Sequence, residues 1–333
     1  MPRFKIGSKP GEKRAPQQRE TDYLNKDLAD FSGYVAVDEL YDGPFCVLML
    51  VDGRRGRRLV YTVLKHKPTH ADVRPFFARF QGLLEARGLK LRGITTDGSP
   101  LYPEPIAEVF GPVAHQVCQF HVLADLTLAV LRAVAQVRKS LTVRLPKLPR
   151  GRPKADQIRQ VRAKRRQEQH LAELFTHRYL FVQHGLTPAE KMRLQRLSRG
   201  HPSLCTLRQI MDQVYRLFDR RCRTETALSK LARLRRRVRR FRQVGKKLQC
   251  LFSPNLEKAL QSLNDKLLPA TSNVVERSNR RYRKMQHSVY RVRTEPQLNH
   301  RIALDILRED QAPGRNCTIK TLHRTRQRPG STL

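Results

Sequence analysis

Three carboxylates stand where their chemistry could be put to use. Asp97 closes the short apolar run in Gly93-Ile94-Thr95-Thr96-Asp97-Gly98-Ser99-Pro100, and Asp38 closes the β-prone run Tyr34-Val35-Ala36-Val37-Asp38. Glu276 opens a helical stretch far downstream, three residues after Asn273. Open α/β sheets carry their working groups at the carboxyl ends of strands. Two acids at adjacent strand ends repel each other unless a cation lies between them. A third acid from a helix completes a cage of oxygen ligands suited to Mg²⁺ or Mn²⁺. Two such ions about 4 Å apart activate a water or hydroxyl and stabilise the leaving oxygen in phosphodiester chemistry. Taken singly, each acid has an ordinary role that is at least as good. Asp38 can be a polar strand end, Asp97 the first residue of an Asp-Gly turn, and Glu276 the return arm of a capping box on Asn273. Only their convergence favours catalysis.

The elements that would position them follow from pattern. Tyr34–Asp38, Phe45–Val51 and Arg58–Leu64 are apolar or β-prone runs separated by Asp42-Gly43-Pro44 and Asp52-Gly53-Arg54-Arg55-Gly56. Two tight turns in succession indicate an antiparallel meander. The continuous run FCVLMLV suits a strand buried on both faces. Ala71–Arg87 has helical spacing (Val73, Phe76, Phe77, Phe80, Leu83, Leu84) and stops at Gly88. A strand over Leu91–Thr96, a helix over Glu104–Phe110, a strand over His115–Phe120 and a long helix over Leu123–Leu141 complete the order βββ-α-β-α-β-α. The expected fold class is α/β, a mixed five-stranded sheet with helices on both faces. The right-handed crossover rule puts the fourth strand beside the first. Asp38 and Asp97, 59 positions apart, would then meet at neighbouring strand ends.

Pro146, Pro149, Gly151 and Pro153 among basic residues mark a change of character. The expected organisation is a basic flexible tail over 1–31, a first core segment over 32–141, a basic helical insertion over 142–262, a second core segment with the Glu276 helix over 263–312, and a basic tail over 313–333. Leu228, Leu231, Leu234, Val238, Phe241 and Val244 form a packing stripe, and seven of the ten positions from Arg233 to Arg242 are arginine. Arginines without acidic partners repel one another, so Arg235, Arg236, Arg239 and Arg240 are read as phosphate contacts. Arg277, Arg280, Arg283 and Lys284 follow Glu276, the last three on or near its helix face, and are read as gripping the phosphates beside the scissile bond. Asn273 and Asn279 could orient the carboxylate or touch a base.

The formal net charge of +38, from 67 Lys plus Arg against 29 Asp plus Glu, calls for a polyanion. Nucleic acid is the natural one. A ribosomal or chromatin-packing protein would share this charge, so charge alone does not select an enzyme. No apolar run of 18 residues suggests a membrane span, and no apolar core near the start suggests a secretion signal. The six scattered cysteines, without a CxxC pair, fit a reducing compartment. Neither a phosphate loop nor a GxGxxG fingerprint is present, so no nucleotide cofactor is expected. Cys118 and His121 could be half a zinc site, with His201 and Cys205 the one available second pair, but a core cysteine and a capping or active-site histidine read better.

At YVAVDEL, ITTDGSPLY, CQFH (Cys118–His121) and TSNVVERSNRRYR the chain resembles the DDE transposases of bacterial insertion sequences, in the group related to Mutator-like elements. The resemblance spans residues 33–310. It implies a ribonuclease H-like fold with an all-helical insertion before the last acid, for which the 179 positions between Asp97 and Glu276 leave room. It implies Asp38, Asp97 and Glu276 as the catalytic triad holding two Mg²⁺ or Mn²⁺ ions, with Cys118 and His121 as a C-x-x-H pair near the active site. It also implies DNA cleavage followed by strand transfer, assembly as a homo-oligomer on DNA, and a cytoplasmic, nucleoid-associated setting without membrane partners. Such enzymes usually carry an N-terminal DNA-recognition domain. About 31 residues precede the first strand here, so the chain is read as a shortened copy, or recognition is expected from the insertion and tails. The rival expectations are a catalytically silent nucleic-acid-binding relic and a ribonuclease H-like nuclease that cuts without joining.

Overall fold

The computed structural model describes residues 16–147, 157–239, 246–287 and 294–311. Three antiparallel strands come first: β1 (Tyr34–Asp42), β2 (Phe45–Asp52) and β3 (Arg58–Leu64). Gly43 and Gly56 turn the chain between them at positive φ, 62° and 74°, which glycine adopts without a Cβ clash. The second turn is tied by the buried Asp52. Its Oδ1 accepts the backbone N–H groups of Arg54 (2.9 Å) and Arg55 (2.8 Å) and the Ser32 hydroxyl (2.8 Å). All eight positions of β2 are buried, as expected for a strand covered on both faces.

Ahead of the meander, helix α1 (Pro16–Ala29) replaces much of the flexible tail expected over 1–31. Its sequence is mostly polar, which hid the helix. Tyr23, Leu24 and Leu28 nevertheless lie on one face and are buried, and the Tyr23 hydroxyl donates to the Arg58 carbonyl at 2.7 Å. Helix α2 (His70–Glu85) starts at a capping box of Thr69 and Asp72 and buries Val73, Phe76, Phe77, Phe80 and Leu84. Strand β4 (Gly93–Thr96), helix α3 (Pro103–Phe110) and strand β5 (Ala114–Val117) follow. Strand β5 is shorter than the sequence pattern suggested, because Gln119 and Phe120 already belong to helix α4 (Gln119–Val143). The five strands form one mixed sheet in the order β3-β2-β1-β4-β5, with β4 and β5 parallel.

The helical stretch comprises α5 (Ile158–Thr176), α6 (Pro188–Ser198), α7 (Pro202–Leu217), α8 (Thr224–Arg239) and the short α9 (Pro254–Lys258). Helices α10 (Asn273–Gln286) and α11 (Glu295–Gln311) close the fold. Of the packing stripe, Leu231, Leu234 and Val238 are buried and Leu228 packs against the core, while Phe241 and Val244 lie outside the described residues. This is an α/β fold of the ribonuclease H-like kind with a helical insertion.

Two compact units make up the chain. One gathers the described residues of Met1–Arg92, Leu101–Val113 and Asn273–Leu333; the other, Gly93–Pro100 and Ala114–Ser272. In the first, α11 lies on β3: Arg58 pairs with Asp305 at 2.8 Å, the Tyr61 hydroxyl donates to the Asn299 carbonyl at 3.0 Å, and Leu298, Ile302 and Ile306 are buried. In the second, α4 is long and apolar enough to cross a membrane by length and composition. Asp125 and Arg132 interrupt it, however, and its apolar face, including Leu126, Val130 and Val134, is buried in a core shared with Leu207, Ile210 and Val214 of α7.

Phe77 is fully buried in the first unit, its ring 5.2 Å from Phe110 and 6.3 Å from Tyr102. Phe77→Ala removes an aromatic ring from this close-packed layer and is expected to cost about 3–5 kcal/mol. Urea denaturation followed by circular dichroism measures it.

Candidate active site

Asp38 does not end its strand. Pairing continues past it to Asp42 because the tight turn at Gly43 keeps the hairpin in register, and Asp38 lies opposite Met49 of β2. Residues 38 and 42 are an even number apart on one strand and so share a face of the sheet. Helix α10 docks along that face. The buried Asn279 donates from Nδ2 to one carboxylate oxygen of Asp38 at 2.7 Å; the other oxygen accepts the Glu39 N–H at 3.0 Å. The Tyr282 hydroxyl (3.0 Å) and Gln286 Nε2 (2.8 Å) both donate to Asp42 Oδ2. Positions 279, 282 and 286 recur at helical spacing, so one stripe of polar side chains fixes both the rotation and the height of α10 on β1. Glu276 sits one turn before Asn279, half-buried, on the neighbouring part of that stripe.

Glu39 escaped the sequence reading. It follows Asp38 directly, and strand alternation turns neighbouring side chains to opposite faces. Its longer side chain nonetheless brings a carboxylate oxygen within 4.8 Å of one on Asp38, and Tyr102 donates its hydroxyl to it. The negative field is felt at Cys46 on β2, where burial, then Glu39 and Asp38, push the thiol up to about 12.

In the second unit, Asp97 follows β4 immediately and folds back on its own turn, Oδ1 accepting the Ser99 N–H at 2.8 Å. Gly98 has φ +100°, and a Cβ there would lie 2.9 Å from Val117 Cγ1. Asn255 of α9 donates from Nδ2 to the Gly98 carbonyl at 2.8 Å, so the insertion clamps the Asp97 turn. No motif announces Asn255, which sits 157 positions away. The same is true of Gln116 and Gln119. Gln116 Nε2 donates to the Ala259 carbonyl at 3.0 Å and Gln119 Nε2 to the same carbonyl at 3.1 Å. Thr95 Oγ1 donates to the Pro269 carbonyl at 2.9 Å. These bonds carry the returning segment 259–270 across the ends of β4 and β5.

Cys118 caps the start of α4. Its N–H donates to the Thr96 carbonyl at 2.8 Å, and its Sγ accepts the Ser272 N–H at 3.3 Å. Burial pushes this thiol up, but hydrogen bonds with His121 and Ser272 outweigh burial and bring it down to about 7. Cys118 and His121 ligating atoms lie within 4.8 Å of one another, as the C-x-x-H spacing on a helix start allows. Among the described residues, no cluster joins His201 or Cys205 to this pair, so the second half of a zinc site is not assembled.

A family model described as a transposase, of the DDE type named for ISL3, matches residues 35–302. The chain belongs to this transposase family. Asp38, Asp97, Cys118, His121 and Glu276 all lie inside the matched span. The match names the ISL3 group and does not extend to the Mutator-related kinship expected from the motifs. No curated protein matches the chain. DDE transposases generally use divalent metals, and the all-oxygen donors Asp38 and Glu39 are of the hard type such cations prefer.

The transposase's expected DNA contacts divide sharply. Arg277, Arg280, Arg283 and Lys284 on α10 are exposed, as is Asn273 at its start. Asn279 is buried on Asp38, and of the two roles open to it, orienting a carboxylate is the one this contact fits. On α8, Arg236 and Arg239 are exposed, Arg239 with its guanidinium 5.4 Å from the Phe252 ring. Arg235 is turned inward, contrary to expectation. It donates to the Leu251 carbonyl at 2.7 Å and the Ser253 carbonyl at 3.2 Å, and pairs with Glu257. Helix rotation decided this, since Arg235 follows the buried Leu234 directly. Arg240 lies outside the described residues.

His115 Nε2 and the Thr96 hydroxyl share a hydrogen bond of 2.9 Å beside the Asp97 turn. Burial, helped by Lys258, lowers this imidazole from 6.5 to about 4. The depressed value means the folded state holds it neutral. Its contribution to stability is complete above pH 6.5 and is lost as pH falls from there toward 4, while the unfolded chain takes up the proton. Between pH 7 and 5 the parent is expected to lose about 2 kcal/mol more stability than His115→Gln. Urea titrations of both proteins at the two pH values check this.

Proposed function

We propose that the chain catalyses metal-dependent cleavage of DNA and transfer of the cut strand, with Asp38, Asp97 and Glu276 as its catalytic acids. The observation that carries this reading is the 2.7 Å bond from Asn279 to Asp38, which docks the helix of Glu276 on the strand of Asp38. The family match, spanning all three acids, supports it. Asp38, Asp97 and Glu276 would hold two Mg²⁺ or Mn²⁺ ions, which when bound would lower the pKa of the attacking hydroxyl and stabilise the leaving oxygen.

The chain's own residues have the task of positioning. Asn279 fixes the orientation of the Asp38 carboxylate, and Asn255 keeps the Asp97 turn closed. The exposed Arg277, Arg280, Arg283 and Lys284 would hold phosphates flanking the scissile bond. The region 142–262 would then be an insertion into the ribonuclease H-like core. The nearer kinship with Mutator-like elements rests on the four sequence motifs alone. Work on paired DNA ends would require a homo-oligomer, acting in the cytoplasm at the nucleoid.

Asp97→Ala and Glu276→Ala are each expected to abolish Mg²⁺-dependent nicking, a fall of at least about 10³-fold, while duplex affinity stays level or rises. Nicking that survives both changes would remove the triad from the mechanism. A pre-cut DNA end supplies the second measurement: joining to a target duplex is expected, and cutting without joining would leave a nuclease. Binding with neither reaction in Mg²⁺ or Mn²⁺ would leave a silent relic.

A further inference from the structure

The helical insertion contains a second cationic feature, away from the arginine run of α8. A cleft of about 480 Å³ opens where the end of α4 and the middle of α5 meet the link between α6 and α7. Arg144 and Arg166 line one side, and Arg196 and Arg199 the other. His170 and His201 stand between them, stacked with ring centroids 5.2 Å apart. No carboxylate lines the cleft, and among the described residues none of the four guanidinium groups has an ion-pair partner. His170 Nε2 is buried there without a hydrogen-bond partner.

A larger cavity of about 950 Å³ in the same unit shows the contrast. Its Arg208 is bound by Asp212 at 2.5 Å and by the carbonyls of Leu180 and Gln183 at 2.8 Å, so its charge is spent internally. Four unpaired arginines facing one small concavity raise each other's energy unless an anion enters. An unsatisfied imidazole nitrogen on a lining residue adds a hydrogen-bonding site that the protein leaves unfilled. Several planar guanidinium forks converging on one concavity fit successive phosphates better than a single small anion.

We propose that this cleft grips the phosphodiester backbone of DNA, seating adjacent phosphates between Arg144–Arg166 and Arg196–Arg199. It rests on the transposase reading only for naming DNA as the polyanion. The cleft offers cations and no carboxylate, so it fixes where DNA lies on the insertion and supplies no metal-holding acid.

The test is fluorescence anisotropy of a labelled DNA duplex against the full chain between 50 and 200 mM salt. Arg196→Gln/Arg199→Gln is compared with Arg159→Gln/Arg162→Gln, a charge-matched pair exposed on α5 outside the cleft. The cleft pair is expected to weaken binding at least about tenfold and to flatten the log–log salt slope by about 2, and the control pair far less. Arg144→Gln/Arg166→Gln, from the opposite wall, should reproduce the loss if circular dichroism shows both variants folded. Equal affinities and slopes for cleft and control pairs overturn the proposal, as does cleft-dependent binding of an RNA duplex with cleft-independent binding of DNA. A parent that binds through the cleft yet never nicks DNA refutes the proposed reaction and leaves the cleft standing.

Discussion

The hydrogen bond from Asn279 to Asp38 is the contact on which the catalytic reading turns. A carboxylate in the middle of a strand, with another on the next residue, is an expensive place to hold negative charge. A neutral amide donor lowers that cost without cancelling the charge, as an arginine would. It also sets the rotation of α10: with Asn279, Tyr282 and Gln286 all turned to β1, the basic residues 277, 280, 283 and 284 are left at the surface. One face of one helix thus meets carboxylates, and its basic residues are left exposed.

A comparable economy holds in the second unit. The Asp97 turn and β5 have few apolar residues of their own. They are held by polar side chains reaching into the chain that returns from the insertion: Asn255 to Gly98, Gln116 and Gln119 to Ala259, Thr95 to Pro269, Cys118 to Ser272. Those bonds are buried or half-buried, where leaving a donor or acceptor unpaired costs about 1–3 kcal/mol. The insertion is therefore part of what shapes the Asp97 turn as well as a basic appendage.

The net charge of +38 is not spread evenly in its use. Some arginines are consumed by the fold, such as Arg235 on Glu257, Arg208 on Asp212 and Arg58 on Asp305. Others, Arg277, Arg280 and Arg283 on α10 and those around the cleft of His170 and His201, have no ion-pair partner among the described residues. Composition reports the sum of the two populations and cannot separate them. Partition between them is a matter of which helix face is turned in.

Much of the fold was legible in the sequence. The meander, α2, and the order of strands follow from apolar period and turn chemistry, which act over a few residues and are written locally. Helix α1 was missed because three buried side chains among polar ones make a weak pattern, and the end of β1 was misplaced because an acid looks like a strand terminus. The candidate acids Asp38, Asp97 and Glu276 and the C-x-x-H spacing could be picked out by residue type, since such chemistry is carried by side chains named in the sequence. What only the tertiary structure decided is which side chains meet: Asn279 on Asp38, Asn255 on Gly98, Glu39 beside Asp38, Arg235 turned inward, and four arginines gathered from three separate stretches into one cleft. Each depends on the rotation of a helix about its axis against a distant element. That rotation is set by packing, and no local run of residues encodes it.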